Sequence, residues 1–375
     1  MSSPQADSGA PPPAAHGAAH PAARPAPQPA SDAATVASRP GPGGSGGGPR
    51  VVTVGETMAL MHSPGVGSLA HVPTVGVGVG GAESNVAIGL SRLGIHTAWL
   101  SRVGDDELGH RVVREIRAEG VEVIAASDPQ RPTGLMIKSH PIADSTAVRY
   151  YRAGSAASAL TPADLPAGLI ENAEVLHLSG ITPVLGETAR DTVRSALERA
   201  RSAGVRVSFD VNFRATLATR AQAAPILAEI AAGADIVFGG PEELSLLLDA
   251  AVGPGRHPVP TTPDDEKQLL RALAAQGIGE VVDKRGPDGA WALVGGELIE
   301  VAGHRVDVVD TVGAGDAFVA GYLSAHLQGL GPAERLARAN ACGAFMCMSP
   351  GDWEGAPTLT DLQLLTSPDA EPVRR

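Results

Sequence analysis

The chain has 375 residues, a formal net charge of -12 and a sequence pI of about 5.4. This length suits an α/β enzyme with one large domain and a small appendage, and the absence of a basic cluster argues against nucleic acid or an anionic membrane as a partner. Two cysteines are too few for a disulfide framework, and no apolar run reaches membrane-spanning length, so we expect a cytoplasmic protein.

The first 50 residues differ in composition from the rest of the chain. They consist mainly of Ala, Pro, Gly and Ser, with Val36 as the only large aliphatic residue after Met1. Such a segment cannot bury enough apolar surface to offset the entropy lost on ordering. We therefore expect a disordered tail at 1–50, a folded domain at 51–366 and a flexible C-terminus at 367–375.

From residue 51 onward, apolar runs typical of strands alternate with helical patterns. Strands are predicted at 51–55, 97–103, 121–124, 174–178, 205–210, 236–238 and 281–284, a ribbon at 291–301, and a strand-like run at 306–309. Helices are predicted at 84–93, 107–118, 187–203, 221–232, 242–248, 265–276, 314–327 and 333–348. This alternation predicts an α/β fold with a mainly parallel sheet and crossover helices.

Two segments fall outside that alternation and predict a small β lid. Residues 58–79 are rich in Gly, Pro and Val and lack a helical period, which indicates short strands and turns. Residues 133–137 and 147–151 predict a hairpin around a turn at 141–144. The lid is therefore expected at about 57–79 and 131–155.

The segment DTVGAGD at 310–316 carries the strongest chemical signal in the sequence. Its glycines permit a tight turn, so that the amides of Gly313, Ala314 and Gly315 point outward at a helix N-terminus and form an anion cradle. Asp316 would repel a bound phosphate, but it could act as the base that accepts the proton of a hydroxyl group attacking that phosphate. The alternative is an ordinary strand-to-helix turn, with Asp316 favoured by the helix dipole.

DTVGAGD at 310–316 and GGAESNVA at 80–87 resemble the two signatures of the ribokinase-like (PfkB) carbohydrate kinases. The resemblance extends over about 51–365. It implies a ribokinase-like three-layer fold with a small β lid, ATP and Mg²⁺ as cofactors, and a sugar substrate, and it leaves a monovalent cation open. Lid strands commonly pair between subunits in this family, which implies a homo-oligomer through the lid.

The resemblance also implies a sugar site at the entrance of the helix at 84–93. There Gly80 and Gly81 let the backbone approach the sugar, and Asn85 bonds its hydroxyls. A role for Asn85 as a mere helix-start residue is the alternative.

The segment YYRAGSAAS at 150–158 resembles its counterpart in 2-keto-3-deoxygluconate kinases, which implies substrate contacts from Tyr150 and Arg152. A planar guanidinium suits a carboxylate, so Arg152 favours a sugar acid over a neutral sugar. A surface arginine with a structural partner is the alternative. Arg214, after the strand at 205–210, is implied as a second contact for carboxylate or phosphate, whereas Met136 replaces a tyrosine that related enzymes often carry.

The remaining implied residues belong to the metal and nucleotide sites. Glu243 matches the acid of the family's Asn-x-x-Glu motif, which helps to position magnesium, although Gly240 stands in place of the asparagine. Lys284, Gly286 and Gly289 resemble a turn beside the nucleotide, for which an exposed charged turn is the alternative. Asn340 lies on one of the two helices expected to line the adenine pocket.

These patterns predict ATP-dependent phosphorylation of a sugar acid, with 2-keto-3-deoxygluconate converted to its 6-phosphate. A fructokinase or ribokinase for a neutral sugar stays open. Two other classes also stay open. The presence of Asp316 disfavours a catalytically silent sugar-binding regulator, and the absence of a dinucleotide turn after the first strand disfavours a nucleotide-dependent oxidoreductase.

Overall fold

The computed structural model describes residues 48–142, 145–253 and 258–366. The strands are β1 Val51–Val54, β2 Met58–Val66, β3 Gly76–Gly80, β4 Thr97–Gly104, β5 Glu122–Asp128, β6 Leu135–Ile142, β7 Ser145–Tyr151, β8 Val175–Ser179, β9 Arg206–Asp210, β10 Ile236–Gly239, β11 Glu280–Lys284, β12 Ala290–Val294 and β13 Glu297–Val301. The helices are α1 Ala82–Arg92, α2 Glu107–Ala118, α3 Glu187–Ala203, α4 Arg220–Ala231, α5 Pro241–Val252, α6 Pro263–Ala274, α7 Ala314–Leu327, α8 Pro332–Met346 and α9 Leu359–Thr366. None of the helices in these ranges is long and apolar enough to cross a membrane.

The large sheet has the strand order β13-β12-β11-β10-β9-β8-β1-β4-β5. Strand β12 runs antiparallel to both of its neighbours, and the remaining pairs are parallel. The parallel strands therefore end along one edge of the sheet, where α/β folds place their ligand sites.

Alternate residues of the strands pack against helices on opposite faces of the sheet. Val52 and Val54 belong to a core cluster that contains residues of α3, α4, α5 and α6. Val51 and Phe238 belong to a second cluster, which contains residues of α1, α7 and α8. Helices on both faces explain why these strands are continuous apolar runs, and the predicted α/β three-layer architecture is confirmed.

The small sheet has the order β3-β2-β6-β7, with β2 and β6 parallel and the outer pairs antiparallel. Its strands come from the two segments for which a lid was predicted. Closure of this sheet over a substrate stays a prediction. The hairpin tip at 143–144, residues 1–47 of the predicted tail and the predicted C-terminus at 367–375 lie outside the described residues.

One predicted strand is wrong, that at 306–309. Residues 302–313 form an irregular connection from β13 to α7, in which Val308 and Val309 are 60% and 61% exposed. The amide of Val309 donates to the carbonyl of Cys347, 2.8 Å away, rather than to a neighbouring strand. The β-branched run has a local preference for extended backbone, but none of the strands in the described ranges lies beside it to complete a ladder.

Candidate active site

Two cavities adjoin the carboxyl edge of the large sheet. The lid cavity, of about 370 Å³, lies between that edge and the small sheet, whose Met58, Met136 and Tyr150 line it. The apolar cavity, of about 670 Å³, is lined by Val306, Val308 and Phe318 among others. Thr311, Gly315 and Lys284 line both cavities, so the two spaces meet at the turn that precedes α7.

That turn has the geometry expected of an anion cradle. Gly313 adopts a left-handed conformation, with φ of 76°, and a Cβ atom on it would lie 2.0 Å from the carbonyl oxygen of Asp352. The first amides of α7 have no acceptor within the helix, although Ala314 N–H makes a long 3.3 Å bond to the carbonyl of Thr311. The helix N-terminus with these amides therefore faces the junction of the two cavities.

Asp316 lies in the first turn of α7 and lines the lid cavity. Desolvation raises the pKa of its carboxyl to about 7, and the charge of Asp210 contributes in the same direction. A 2.8 Å hydrogen bond from Asn85 Nδ2 to Asp316 Oδ2 opposes this shift, as do the charges of Arg214 and Lys284. A carboxylate with such a pKa can accept a proton near neutral pH.

Lys284 ends β11 and reaches across the carboxyl edge to Asp210 at the end of β9. Its ammonium lies 2.8 Å from each carboxylate oxygen of Asp210. Desolvation alone would lower the pKa of Lys284, but Asp210, Glu243 and Asp316 together raise it. Lys284 is therefore a charged group between the two cavities, and the alternative interpretation, in which it belongs to an exposed charged turn, does not hold. Asp210 is its ion-pair partner, a role that the sequence did not indicate.

Arg152 lies in the lid cavity but already has a protein partner. Its Nε donates to Glu56 Oε2 at 2.6 Å, its Nη2 lies 2.5 Å from the same oxygen, and Ser155 donates to Glu56 Oε1 at 2.5 Å. The guanidinium also stacks 5.8 Å from the ring of Tyr150. Arginine carries five N–H groups, so this pairing leaves donors for a ligand.

Arg214 and Glu243 also line the lid cavity. Arg214 is partly exposed and lies 3.8 Å from Glu243 Oε1. The Glu243 carboxylate accepts from the amides of Phe213 and Gly240, each at 3.0 Å, and so caps its own helix, α5. Glu243 is thus held in place by two amides, independently of any asparagine at position 240.

The predicted nucleotide residues gather around the apolar cavity. Gly286 and Gly289 have positive φ of 57° and 94°, and a Cβ atom on Gly289 would lie 2.2 Å from the carbonyl of Val301. Asn340 donates from Nδ2 to the carbonyls of Val301 and Ala302, each at 3.1 Å. Its amide group therefore supports the backbone that lines the cavity, and a direct contact to a nucleotide stays a prediction.

Among the described residues, no cluster of three or more His, Cys, Asp and Glu side chains could hold a metal ion. Mg²⁺ does not require such a cluster, because it commonly binds one or two carboxylates together with phosphate oxygens and water. Glu243 and Asp210 both border the lid cavity. This donor set fits magnesium bound through one or two carboxylates.

Besides Asp210, sequence reasoning missed four charged residues of the lid cavity, Glu56, Glu83, Lys138 and Asp352. Glu56 lies shortly after β1, at the carboxyl edge of the large sheet. Lys138 lies on β6 and Asp352 in the loop after α8, and the two are joined through an ion-pair cluster.

The family model described as pfkB family carbohydrate kinase matches residues 49–359 of this chain. The chain belongs to this family. It is 38% identical over 311 residues to the 2-dehydro-3-deoxygluconokinase of Bacillus subtilis (strain 168). That alignment covers 82% of this chain and 92% of the Bacillus protein. It is 33% identical over 320 residues to the probable fructokinase-6, chloroplastic, of Arabidopsis thaliana, which covers 83% of this chain and 80% of that protein.

The crystal structure of a putative ribokinase II from E. coli, in complex with ATP and Mg²⁺, matches this pfkB kinase with a TM-score of 0.75. The match covers 85% of this chain and 99% of that one at 23% identity, and it shows a shared fold. The predicted ribokinase-like fold is therefore confirmed. Family membership makes the protein a carbohydrate kinase, a phosphotransferase with an alcohol group as acceptor, rather than an oxidoreductase.

Proposed function

We propose that this pfkB kinase transfers the terminal phosphoryl group of ATP to 2-keto-3-deoxygluconate and forms its 6-phosphate. The observation that carries the proposal is the meeting of a polar and an apolar cavity at one glycine turn, with Asp316 on the polar side. A sugar in the lid cavity and a nucleotide in the apolar cavity would face each other across that turn. Phosphoryl transfer depends mainly on such positioning and on charge stabilisation.

In this mechanism Asp316 accepts the proton of the attacking hydroxyl, and Asn85 holds its carboxylate in place through the 2.8 Å bond. The amides of Gly313 and Gly315, at the N-terminus of α7, stabilise negative charge that develops on the transferred phosphoryl group. Lys284 adds a positive charge beside the same turn. The amide of Ala314 can stabilise the same charge when it donates to the phosphate instead of to the carbonyl of Thr311.

Magnesium, when bound, would neutralise charge on the phosphates, and Glu243 with Asp210 would hold it, directly or through water. Glu243 is oriented for this role by the amides of Phe213 and Gly240. The dependence of turnover on a monovalent cation stays open.

The sugar-acid preference rests on the two arginines of the lid cavity. Arg152 retains guanidinium N–H groups beyond those that pair with Glu56, and Arg214 lines the same cavity with much of its side chain exposed. Planar N–H forks bind carboxylates well, which supports a substrate with a carboxylate. The 2-dehydro-3-deoxygluconokinase relative supports the same choice, since 2-dehydro- and 2-keto-3-deoxygluconate are one compound.

The proposal is tested by ADP release with ketodeoxygluconate, gluconate, fructose and ribose as acceptors. We expect the largest kcat/KM with ketodeoxygluconate. A preference for fructose or ribose would overturn the sugar-acid assignment, and turnover with none of the four would overturn the proposed function as a whole.

A neutral sugar is the second candidate, because Glu56 already neutralises Arg152 and because a fructokinase is among the relatives. Arg152→Gln separates the two candidates. For a sugar acid, we expect KM to rise about 100-fold, since a charge-assisted contact is lost. For a neutral sugar, KM should change little. The matched control is Arg149→Gln, which removes an exposed arginine of β7, the strand that Arg152 directly follows.

We also propose that two copies associate through the small sheet in the cytoplasm. Strand β7 forms one edge of that sheet and carries Tyr151, which is 59% exposed, and the inner strands β2 and β6 end at Val66 and Ile142, which are 63% and 66% exposed. An unpaired edge with apolar side chains favours pairing with another chain. Sedimentation should show a dimer that Tyr151→Asp weakens, and a wild-type monomer at high concentration would contradict this arrangement.

A further inference from the structure

Lys138 is a buried lysine that the mechanism above does not use. It lies on β6 of the small sheet, is 3% exposed, and places its ammonium 2.5 Å from Asp310 Oδ2 and 3.8 Å from Asp352 Oδ1. Asp310 and Asp352 are themselves 7% and 6% exposed. Lysine is almost never this buried unless it is paired, so the three ionisable groups form one interdependent cluster.

Asp310 connects the ammonium to the beginning of the glycine turn. Its Oδ1 accepts from the amide of Val312 at 3.2 Å, and its Oδ2 accepts from the amide of Gly351 at 3.4 Å. Because Val312 directly precedes Gly313, the orientation of the Asp310 carboxylate helps to set the direction of the amides that follow. Lys138 therefore acts on the cradle through one intervening side chain.

Asp352 connects the same ammonium to both glycine turns. A Cβ atom on Gly80 would lie 2.1 Å from Asp352 Oδ2, and one on Gly313 would lie 2.0 Å from the Asp352 carbonyl oxygen. The Asp352 residue thus fits between the turn at the sugar side and the turn at the phosphate side. Without a positive charge nearby, its carboxylate would face that of Asp310 in a poorly solvated space.

We infer that Lys138 is a positioning residue, which joins the small sheet to the phosphate turn and aligns the amides of that turn only when β6 lies in the place seen here. The inference rests on the proposed function, because the turn must take part in phosphoryl transfer for its alignment to affect turnover. Because Lys138 lies on the small sheet and aligns the turn at Gly313, phosphoryl transfer depends on the position of that sheet. Transfer to water before the lid closes is thereby disfavoured.

The opposing interpretation is that Lys138 contacts the substrate directly, since it also lines the lid cavity. The two interpretations predict different kinetics. A substrate contact would mainly change KM for the sugar, whereas a positioning residue would mainly change kcat with both substrates bound.

The test compares Lys138→Met and Lys138→Arg with the wild type. Lys138→Met keeps the length of the side chain without its charge, and we expect kcat to fall about 100-fold while KM for the sugar changes less than about threefold. Lys138→Arg, which can still pair with both carboxylates, should recover most of the lost turnover. Added ammonium or methylammonium should partly restore Lys138→Met, and tetramethylammonium at equal ionic strength should not, because it cannot donate hydrogen bonds.

Normal kcat in Lys138→Met would overturn the inference, as would a rise in sugar KM at unchanged kcat. Turnover by the wild type with none of the acceptor sugars would instead overturn the proposed function, so the two failures are distinguishable. Circular dichroism establishes that each variant folds. If Lys138→Met does not, Lys138→Gln removes the charge but keeps a donor between the carboxylates, and we expect a smaller fall in kcat, again with little change in KM for the sugar.

Discussion

Two glycine turns open helices α1 and α7, and they use glycine for different reasons. At the first turn Gly81 has an extended backbone, with φ of 179°, and a Cβ atom would lie 2.3 Å from the carbonyl of Glu56. At the second, Gly313 has φ of 76° and its Cβ atom would lie 2.0 Å from the carbonyl of Asp352. The first turn therefore needs glycine for space alone, whereas the second needs it for both space and backbone conformation.

The two turns are also joined by one side chain. Asn85 accepts from the amide of Gly81 at 3.4 Å and donates to Asp316 at 2.8 Å. The amide side chain therefore connects the backbone of the first turn to the acid that follows the second. Substitutions at the two turns and at this link should differ in which kinetic quantity they change.

Among substitutions at the two turns and at Asn85, the largest effect is expected from Gly313→Ala. The new methyl group would require a left-handed alanine and would collide with the backbone of Asp352, so we expect turnover to fall about 100-fold. The unfolding free energy should fall by about 2–4 kcal/mol, measured by urea denaturation. Gly296→Ala is the matched control, because Gly296 has φ of 87° with open space around it. It should lose only about 1–2 kcal/mol and no turnover.

An intermediate effect is expected from Asn85→Ala. Loss of its hydrogen bond removes an interaction that lowers the pKa of Asp316, so that pKa should rise above about 7. The protonated carboxyl cannot act as a base, and the acid limb of the kcat profile should therefore move to higher pH, with about a tenfold loss at neutral pH. An acid limb that stays in place would show that Asp316 is not the titrating group.

The smallest effect on turnover is expected from Gly81→Ala. Its methyl group would lie 2.3 Å from the backbone carbonyl of Glu56, the partner of Arg152, although alanine can adopt the φ of 179° that Gly81 has. We expect KM for the sugar to rise about tenfold and kcat to fall less than about threefold. Gly65→Ala, on β2 in open space, should change neither. A loss of kcat larger than the rise in KM would mean that the two turns do not have separate roles.

The large sheet could be predicted from the sequence because its signals are local. Val51–Val54 is a continuous β-branched run, and the strands that follow alternate with helical periods. The turn at 310–316 was equally accessible, since glycines and an acid stand together in the chain. The strand predicted at 306–309 is wrong because the local preference of a segment does not reveal whether a neighbouring strand exists to pair with it.

The ion pairs of the lid cavity could not be predicted in the same way. Glu56 and Arg152 are 96 positions apart, and Lys138 and Asp310 are 172 positions apart, so no local pattern joins them. One compositional signal was available. The chain has only three lysines, and two of them, Lys138 and Lys284, line the lid cavity.

The most direct test of the account is kcat of Asp316→Asn with ATP and ketodeoxygluconate at saturation. Asp307→Asn, an equal change of charge at an exposed position before the turn, serves as its control. Loss of the base should lower kcat of Asp316→Asn about 1,000-fold, and the control should match the wild type. Turnover of Asp316→Asn within about tenfold of the wild type would contradict the assignment of Asp316 as the base.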